Sequence, residues 1–239
     1  MRTTILSFII LFTSFFTFGQ TLTGSQLLEK AIQYHDPNNN WNTFSNTLFV
    51  TMESPNNSNR DSEIKINLPS EYFKVKATRD SNTTEYTINK GICSLALNGK
   101  TDLSETVLKQ YNLNCDRATL YKNYYTYLYG LPMKLKDPGT HILESIERKT
   151  FKGKEYLVLN VTYNTAQSDV WSFYFNPETY AMEVYQFFKT DKNNNIIKDS
   201  GEYILLSEIA IINEIKMPKI RTWYYNKDDG YLGTDILKQ

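Results

Sequence analysis

Several things are scarce in this 239-residue chain, and each scarcity removes a class of function. Only two His and two Cys are present, too little material for a zinc or iron–sulfur site. Neither charge is in surplus, because 26 Lys+Arg stand against 26 Asp+Glu. A nucleic-acid binder needs a basic surplus or stripe to neutralise phosphates, so no nucleic-acid partner is expected. Beyond the amino terminus, no run is long and apolar enough to span a membrane. No Gly-x-Ser-x-Gly elbow occurs, which removes the commonest mark of a serine hydrolase. What is left, 41% AVILMFWYC and 22% charged, is the composition of one folded domain with a full-sized core. Its excesses are 18 Tyr and 23 Asn.

Residues 1–19 read as a secretory signal peptide. Arg2 supplies a positive start, Ile5–Phe18 is uncharged and too short to span a bilayer, and Thr17 and Gly19 are small at −3 and −1. Cleavage is expected between Gly19 and Gln20, leaving a single domain over 20–239 with 25 basic residues against 26 acidic. No Cys follows the apolar stretch, so the mature chain is expected to be periplasmic or secreted and not a lipoprotein. Export makes Cys93 and Cys115 candidates for a disulfide. The alternative is that Cys93, in phase with Leu95 and Leu97, packs as a small hydrophobe.

Local patterns place the elements. Thr23 and Gln26 have the spacing of a capping box, and Leu27, Leu28, Ala31 and Ile32 follow on one helical face up to Asp36-Pro37. Strands with one polar face come next, marked by Leu48/Val50/Met52, Ile64/Ile66/Leu68, Phe73/Val75/Ala77, Tyr86/Ile88 and Leu95/Leu97. Asn-rich turns separate them, since Asn tolerates the left-handed backbone that turns need, and this absorbs much of the Asn excess. A helix starts near Asp102–Glu105, and a third, capped by Asp116, ends at Gly130-Leu131-Pro132. Six more strands are expected near Ile142–Phe151, Tyr156–Tyr163, Val170–Phe175, Ala181–Phe188, Glu202–Ile212 and Ile215–Tyr225. The fold class is α+β: a large curved antiparallel sheet of about eleven strands, an N-terminal helix and a mid-chain helical pair.

Certain segments carry a resemblance: Tyr129–Met133, Asp169–Tyr174, Asn176-Pro177, Gly201–Ile204, Met217–Lys219 and Tyr231–Leu237. With the signal peptide, the amphipathic first helix and the helical insertion among strands, the chain resembles the LolA-like lipoprotein-carrier superfamily. Within it, the chain is similar to an uncharacterised family of secreted Bacteroidetes proteins. The resemblance implies an unclosed half-barrel with an apolar concave face covered by helices and able to hold acyl chains. Residues by which lipoprotein chaperones pass on their cargo are not matched here, so no cargo is implied. The residues expected to line such a cavity are Phe73, Val75, Tyr124, Tyr125, Leu159, Trp171, Phe173, Phe175 and Trp223. For the aromatic strand and for Tyr121–Tyr129 the alternative is plain core packing.

Catalytic and metal motifs are weak. Asp191–Glu202 places oxygen ligands at calcium-loop spacing, but Ile196 stands where the loop needs Gly, so a polar hairpin turn is expected. His35-Asp36, at a helix end, lacks companions for a site, and Asp228-Asp229-Gly230 reads as a turn. No metal, cofactor or catalytic residue is nominated. The expected function is an exported, non-enzymatic, monomeric binding protein for an apolar small molecule or lipid. The alternatives are an envelope module with a filled core that binds a protein partner, and a carboxylate-dependent hydrolase.

Overall fold

In the computed structural model, which describes residues 22–164 and 168–238, alternation becomes sheet almost wherever the sequence shows it. The expected signal segment and its cleavage point lie outside the described residues. Ile64 and Ile66 are fully buried while Glu63 and Lys65, which alternate with them, are exposed, the signature of a sheet wet on one face. The first five strands are β1 (Ser45–Ser54), β2 (Asn57–Asn67), β3 (Tyr72–Arg79), β4 (Asn82–Asn89) and β5 (Ile92–Leu97). After the helices come β6 (Thr140–Ile142), β7 (Glu147–Phe151), β8 (Lys154–Tyr163), β9 (Val170–Phe175), β10 (Met182–Phe188), β11 (Glu202–Ile212), β12 (Ile215–Tyr225) and β13 (Tyr231–Lys238). They form one antiparallel sheet in the order β5-β4-β3-β2-β1-β13-β12-β11-β10-β9-β8, with β6 and β7 both along the outer side of β8. The edges do not pair, so the barrel is unclosed. Asn56, Asn98 and Asn213 adopt the left-handed conformation in the connections, as turn chemistry predicts.

Among the described residues the strand count is thirteen rather than about eleven, for two reasons. The run from Ile142 to Phe151 is broken because Glu144 leaves the ladder to serve a helix. Its carbonyl accepts from Gly24 N–H at 2.9 Å, and its carboxylate accepts from Ser25 N–H at 3.2 Å and from the Ser25 hydroxyl. The last strand, β13, hides its alternation because its inward positions include Gly233 and Asp235 beside Leu237.

Helix α1 (Gly24–His35) carries the expected capping box, with Gln26 N–H donating to Thr23 Oγ1 and Thr23 N–H to Gln26 Oε1. Leu27, Leu28 and Ala31 bury its inner face against the sheet at β8 and β12. Each leucine so buried contributes about 2 kcal/mol. Its C-terminal end is pinned. His35 Nδ1 donates to Lys216 carbonyl at 2.7 Å, and His35 Nε2 accepts from Met182 N–H at 2.9 Å. Asp36 accepts from Asn40 and Trp41 N–H, both at 2.8 Å. Helix α2 (Glu105–Gln110) is short, and α3 (Cys115–Gly130) lies over β3, β4 and β5. The cap of α3 is Asn114, whose side chain accepts from Arg117 N–H at 2.7 Å, and not Asp116, which sits in the first turn. One large core joins both long helices to the concave face, and a small cluster of Tyr156, Val158, Tyr174 and Val184 lies on the convex face.

Candidate functional site

Register places a charged row where apolar residues are the rule. Arg79 on β3 opposes Arg60 on β2, Arg60 opposes Met52 on β1, Met52 opposes Asp235 on β13, and Asp235 opposes Arg221 on β12. Directly paired residues share a face, so all five point toward the concave side at one end of the half-barrel. Arg221 is only 1% exposed and is held by three contacts. It donates to Pro218 carbonyl at 3.1 Å and to Leu128 carbonyl at 3.3 Å, and its guanidinium lies 4.2 Å from the Tyr129 ring centroid. Arg60 donates to the Tyr125 hydroxyl at 3.0 Å. Burial pushes the Asp235 carboxyl up, against the pull of Arg221 and Arg60. The Tyr185 hydroxyl is buried nearby without a hydrogen-bond partner among the described residues.

Helix α3 covers this row with tyrosines. Tyr125 and Tyr129 are each 1% exposed and point inward. Burial, first of all, pushes the Tyr125 hydroxyl up to about 12, with Arg60 opposing. Tyr124 and Tyr127 lean instead toward the far strands and complete an aromatic rim. The Tyr124 ring stacks at 6.3 Å on Trp223, and Tyr127 meets Trp171 edge-on at 6.3 Å and hydrogen-bonds the Tyr163 hydroxyl. Trp171 in turn stacks on its cross-strand partner Phe187 at 4.7 Å. Tyr124 is 37% exposed, and Trp171 and Trp223 are half-buried, so the rim is the place where this aromatic surface meets solvent.

The model of one family of unknown function, DUF6503, matches residues 6–238. The chain belongs to that family. No curated relative matches it by sequence. Among solved structures, this DUF6503 fold is similar to a LolA superfamily protein from Nitrosomonas europaea, with a TM-score of 0.53 at 12% identity over 91% of this chain and 92% of that one. A domain named for outer membrane lipoprotein sorting, from Vibrio parahaemolyticus, has a TM-score of 0.47 at 11% identity over 89% of this chain and 90% of that one. At such identity the likeness is one of fold, and the fold is LolA-like.

Within the DUF6503 half-barrel the nine residues nominated as cavity lining fall into two groups. Phe73, Val75, Tyr125, Leu159, Phe173 and Phe175 are 0–1% exposed. A side chain with no accessible surface borders no void that a water could enter, so these six belong to the packed core. Tyr124, Trp171 and Trp223 form the rim already described. Cys93 and Cys115 are bonded, with Cα atoms 5.9 Å apart, and tie β5 to the first residue of α3.

The remaining titratable motifs are committed to structure. Asp191 accepts from Asn193 and Asn195 N–H at 2.8 and 2.9 Å, a side chain closing its own hairpin turn. Asp228 accepts from Gly230 N–H at 3.0 Å, and Asp229 pairs with Lys152 at 2.7 Å. Among the described residues no three of His, Cys, Asp or Glu converge as a metal set. Sequence reasoning missed the arginine row, although its signal was available. Counting back by two from Ile66 and Ile64 reaches Ser62 and Arg60, and counting on from Phe73, Val75 and Ala77 reaches Arg79.

Proposed function

We propose that this chain is an exported, non-enzymatic binding protein that shelters an apolar ligand, a lipid or acyl chain, between α3 and the concave face of the half-barrel. The aromatic rim at the open end carries this reading, because Tyr124, Trp171 and Trp223 present apolar surface to solvent next to a packed interior. The LolA-like fold supports it, as does the signal segment, which would deliver the mature chain to the periplasm or beyond. Among the described residues no helix is long and apolar enough to cross a membrane.

Entry of a chain must move α3, because the core residues beneath it leave no water-sized gap. Parting Tyr125, Leu128 and Tyr129 from the core costs about 2 kcal/mol each, or roughly 6 in all. An acyl chain with roughly 14 buried CH₂ groups returns about 11 kcal/mol at about 0.8 apiece, which exceeds that opening cost and leaves about 5 kcal/mol to set against lost translational and rotational freedom. Extraction of the purified protein for lipid, with native mass spectrometry, should recover a bound amphiphile. A fluorescent fatty-acid probe should bind wild type and lose affinity in Trp171→Ala and Trp223→Ala, while thermal stability changes less. A ligand-free protein that refuses the probe would overturn the reading. The packed state of six nominated lining residues favours one rival, an envelope module with a filled core whose surface binds a protein. Probe refusal together with a stoichiometric co-purifying partner would select it.

A further inference from the structure

Between the rim ends of β2, β3 and β4 and the α2–α3 connection lies a cleft of about 410 Å³. Three guanidiniums line it, from Arg60, Arg79 and Arg117, against one carboxylate, Asp80. Among the described residues none of the three forms a salt bridge, whereas lysines elsewhere in the fold make seven. Arg60 and Arg79 are direct cross-strand partners, and like charges placed opposite each other on a sheet repel. The Nε of each is buried with no hydrogen-bond partner among the described residues. A buried guanidinium N–H left unpaired is costly, and here two of them lie on one cleft wall. An anion in the cleft would answer both costs at once. Tyr121 adds a donor: its hydroxyl accepts from Arg117 Nη2 at 3.1 Å, which leaves its own hydrogen to give.

The chemistry of the lining selects among anions. Three arginines and one aspartate give a formal charge of +2, which complements the roughly −1.5 to −2 of a phosphate monoester near neutral pH. Guanidinium forks suit phosphate oxygens, and a cleft of this size is roomier than one carboxylate requires. Arg60 connects the cleft to the interior, since its Nη2 donates to Tyr125 beneath α3. We propose that this cleft binds the phosphate of an anionic lipid headgroup through Arg60, Arg79 and Arg117, with the acyl chain directed inward under α3. The headgroup assignment rests on the apolar-ligand reading above, whereas the phosphate site stands on the cleft alone.

Calorimetric titration of the mature protein in phosphate-free buffer separates these two claims. The probes are inorganic phosphate, a soluble short-chain phosphatidic acid and a phosphatidylcholine of equal chain length. Phosphatidic acid should bind about tenfold or more tightly than phosphatidylcholine, and inorganic phosphate should compete with it. Arg60→Gln/Arg79→Gln should erase the preference for phosphatidic acid. Arg79→Gln alone should weaken phosphatidic acid in a protein that folds as wild type, because the Arg79 guanidinium makes no hydrogen bond to the described residues. Binding of inorganic phosphate with refusal of both lipids supports the anion site, assigns it to free phosphate and removes the lipid reading. Equal binding of both lipids, indifferent to the substitutions, overturns the site and leaves the apolar-ligand reading intact. No binding of phosphate or phosphatidic acid overturns the site as well.

Discussion

Lowering the pH from 7 to 4 should cost this fold about 3 kcal/mol through a single imidazole, His35. The ring is 3% exposed at the end of α1. It spends one nitrogen as a donor to Lys216 carbonyl and the other as an acceptor from Met182 N–H, which specifies one neutral tautomer. A second proton would set N–H against N–H. Burial is the largest cause that lowers its pKa, from 6.5 to about 4, with the Lys216 charge adding to it and the carbonyl bond opposing. Between those values the unfolded chain binds the proton and the folded chain does not. The stabilisation is therefore complete above 6.5 and is lost as pH falls toward 4. The interval corresponds to about 3 kcal/mol. Asp235 and Glu202, both raised by burial, act with the opposite sign, so the informative quantity is the difference between wild type and His35→Leu. Urea unfolding at a series of pH values should show a gap between the two proteins that closes on acidification. NMR of the two histidines should show the His35 ring still neutral at pH 5. A His35 midpoint near 6.5, or two parallel stability curves, would refute the reasoning.

Other perturbations have equally definite outcomes. Replacing Cys93 and Cys115 by Ser opens a loop of 22 residues and should cost about 3 kcal/mol in urea unfolding, with hydrogen exchange rising first in α2 and the start of α3. Equal stability with and without reductant would contradict this. Gly130→Ala should cost roughly 1–3 kcal/mol, because the new methyl would sit 2.5 Å from Trp41 Cε2 in a packed corner. A neutral result in thermal melts would mean that Trp41 has room to move. Arg221→Met should cost roughly 1–3 kcal/mol at pH 7, by removing the hydrogen bonds to Pro218 and Leu128 carbonyls and one of the two cations that draw the buried Asp235 carboxyl down. That penalty should shrink in acid, where Asp235 takes up a proton, and a pH-independent loss would assign it to packing and the lost hydrogen bonds alone.

The half-barrel was legible in the sequence because its signals are local. Period-2 alternation marks each strand's inner face, the Thr23–Gln26 box marks the start of α1, and asparagines mark turns. The signals failed where an inner face carries few apolar side chains, as in β13 with Gly233 and Asp235 beside Leu237, or where a strand surrenders a carbonyl to a distant helix, as at Glu144. The candidate site was legible only in part. Aromatic residues in phase with a strand are alike in sequence whether they fill a core, as Phe173 and Phe175 do, or edge a rim, as Trp171 does. What divides them is the position of α3, which no local pattern contains.

By itself, then, the sequence determined the class of fold, the direction each strand's side chains face and the material of the rim. The tertiary structure alone decided which residues became neighbours. Arg60 and Arg79 are separated along the chain, yet register sets them side by side. The same register carries the row on to Asp235 and Arg221 from the far end of the molecule. A phase of two residues is written along one strand, but register between strands is settled by turns and packing across the whole sheet.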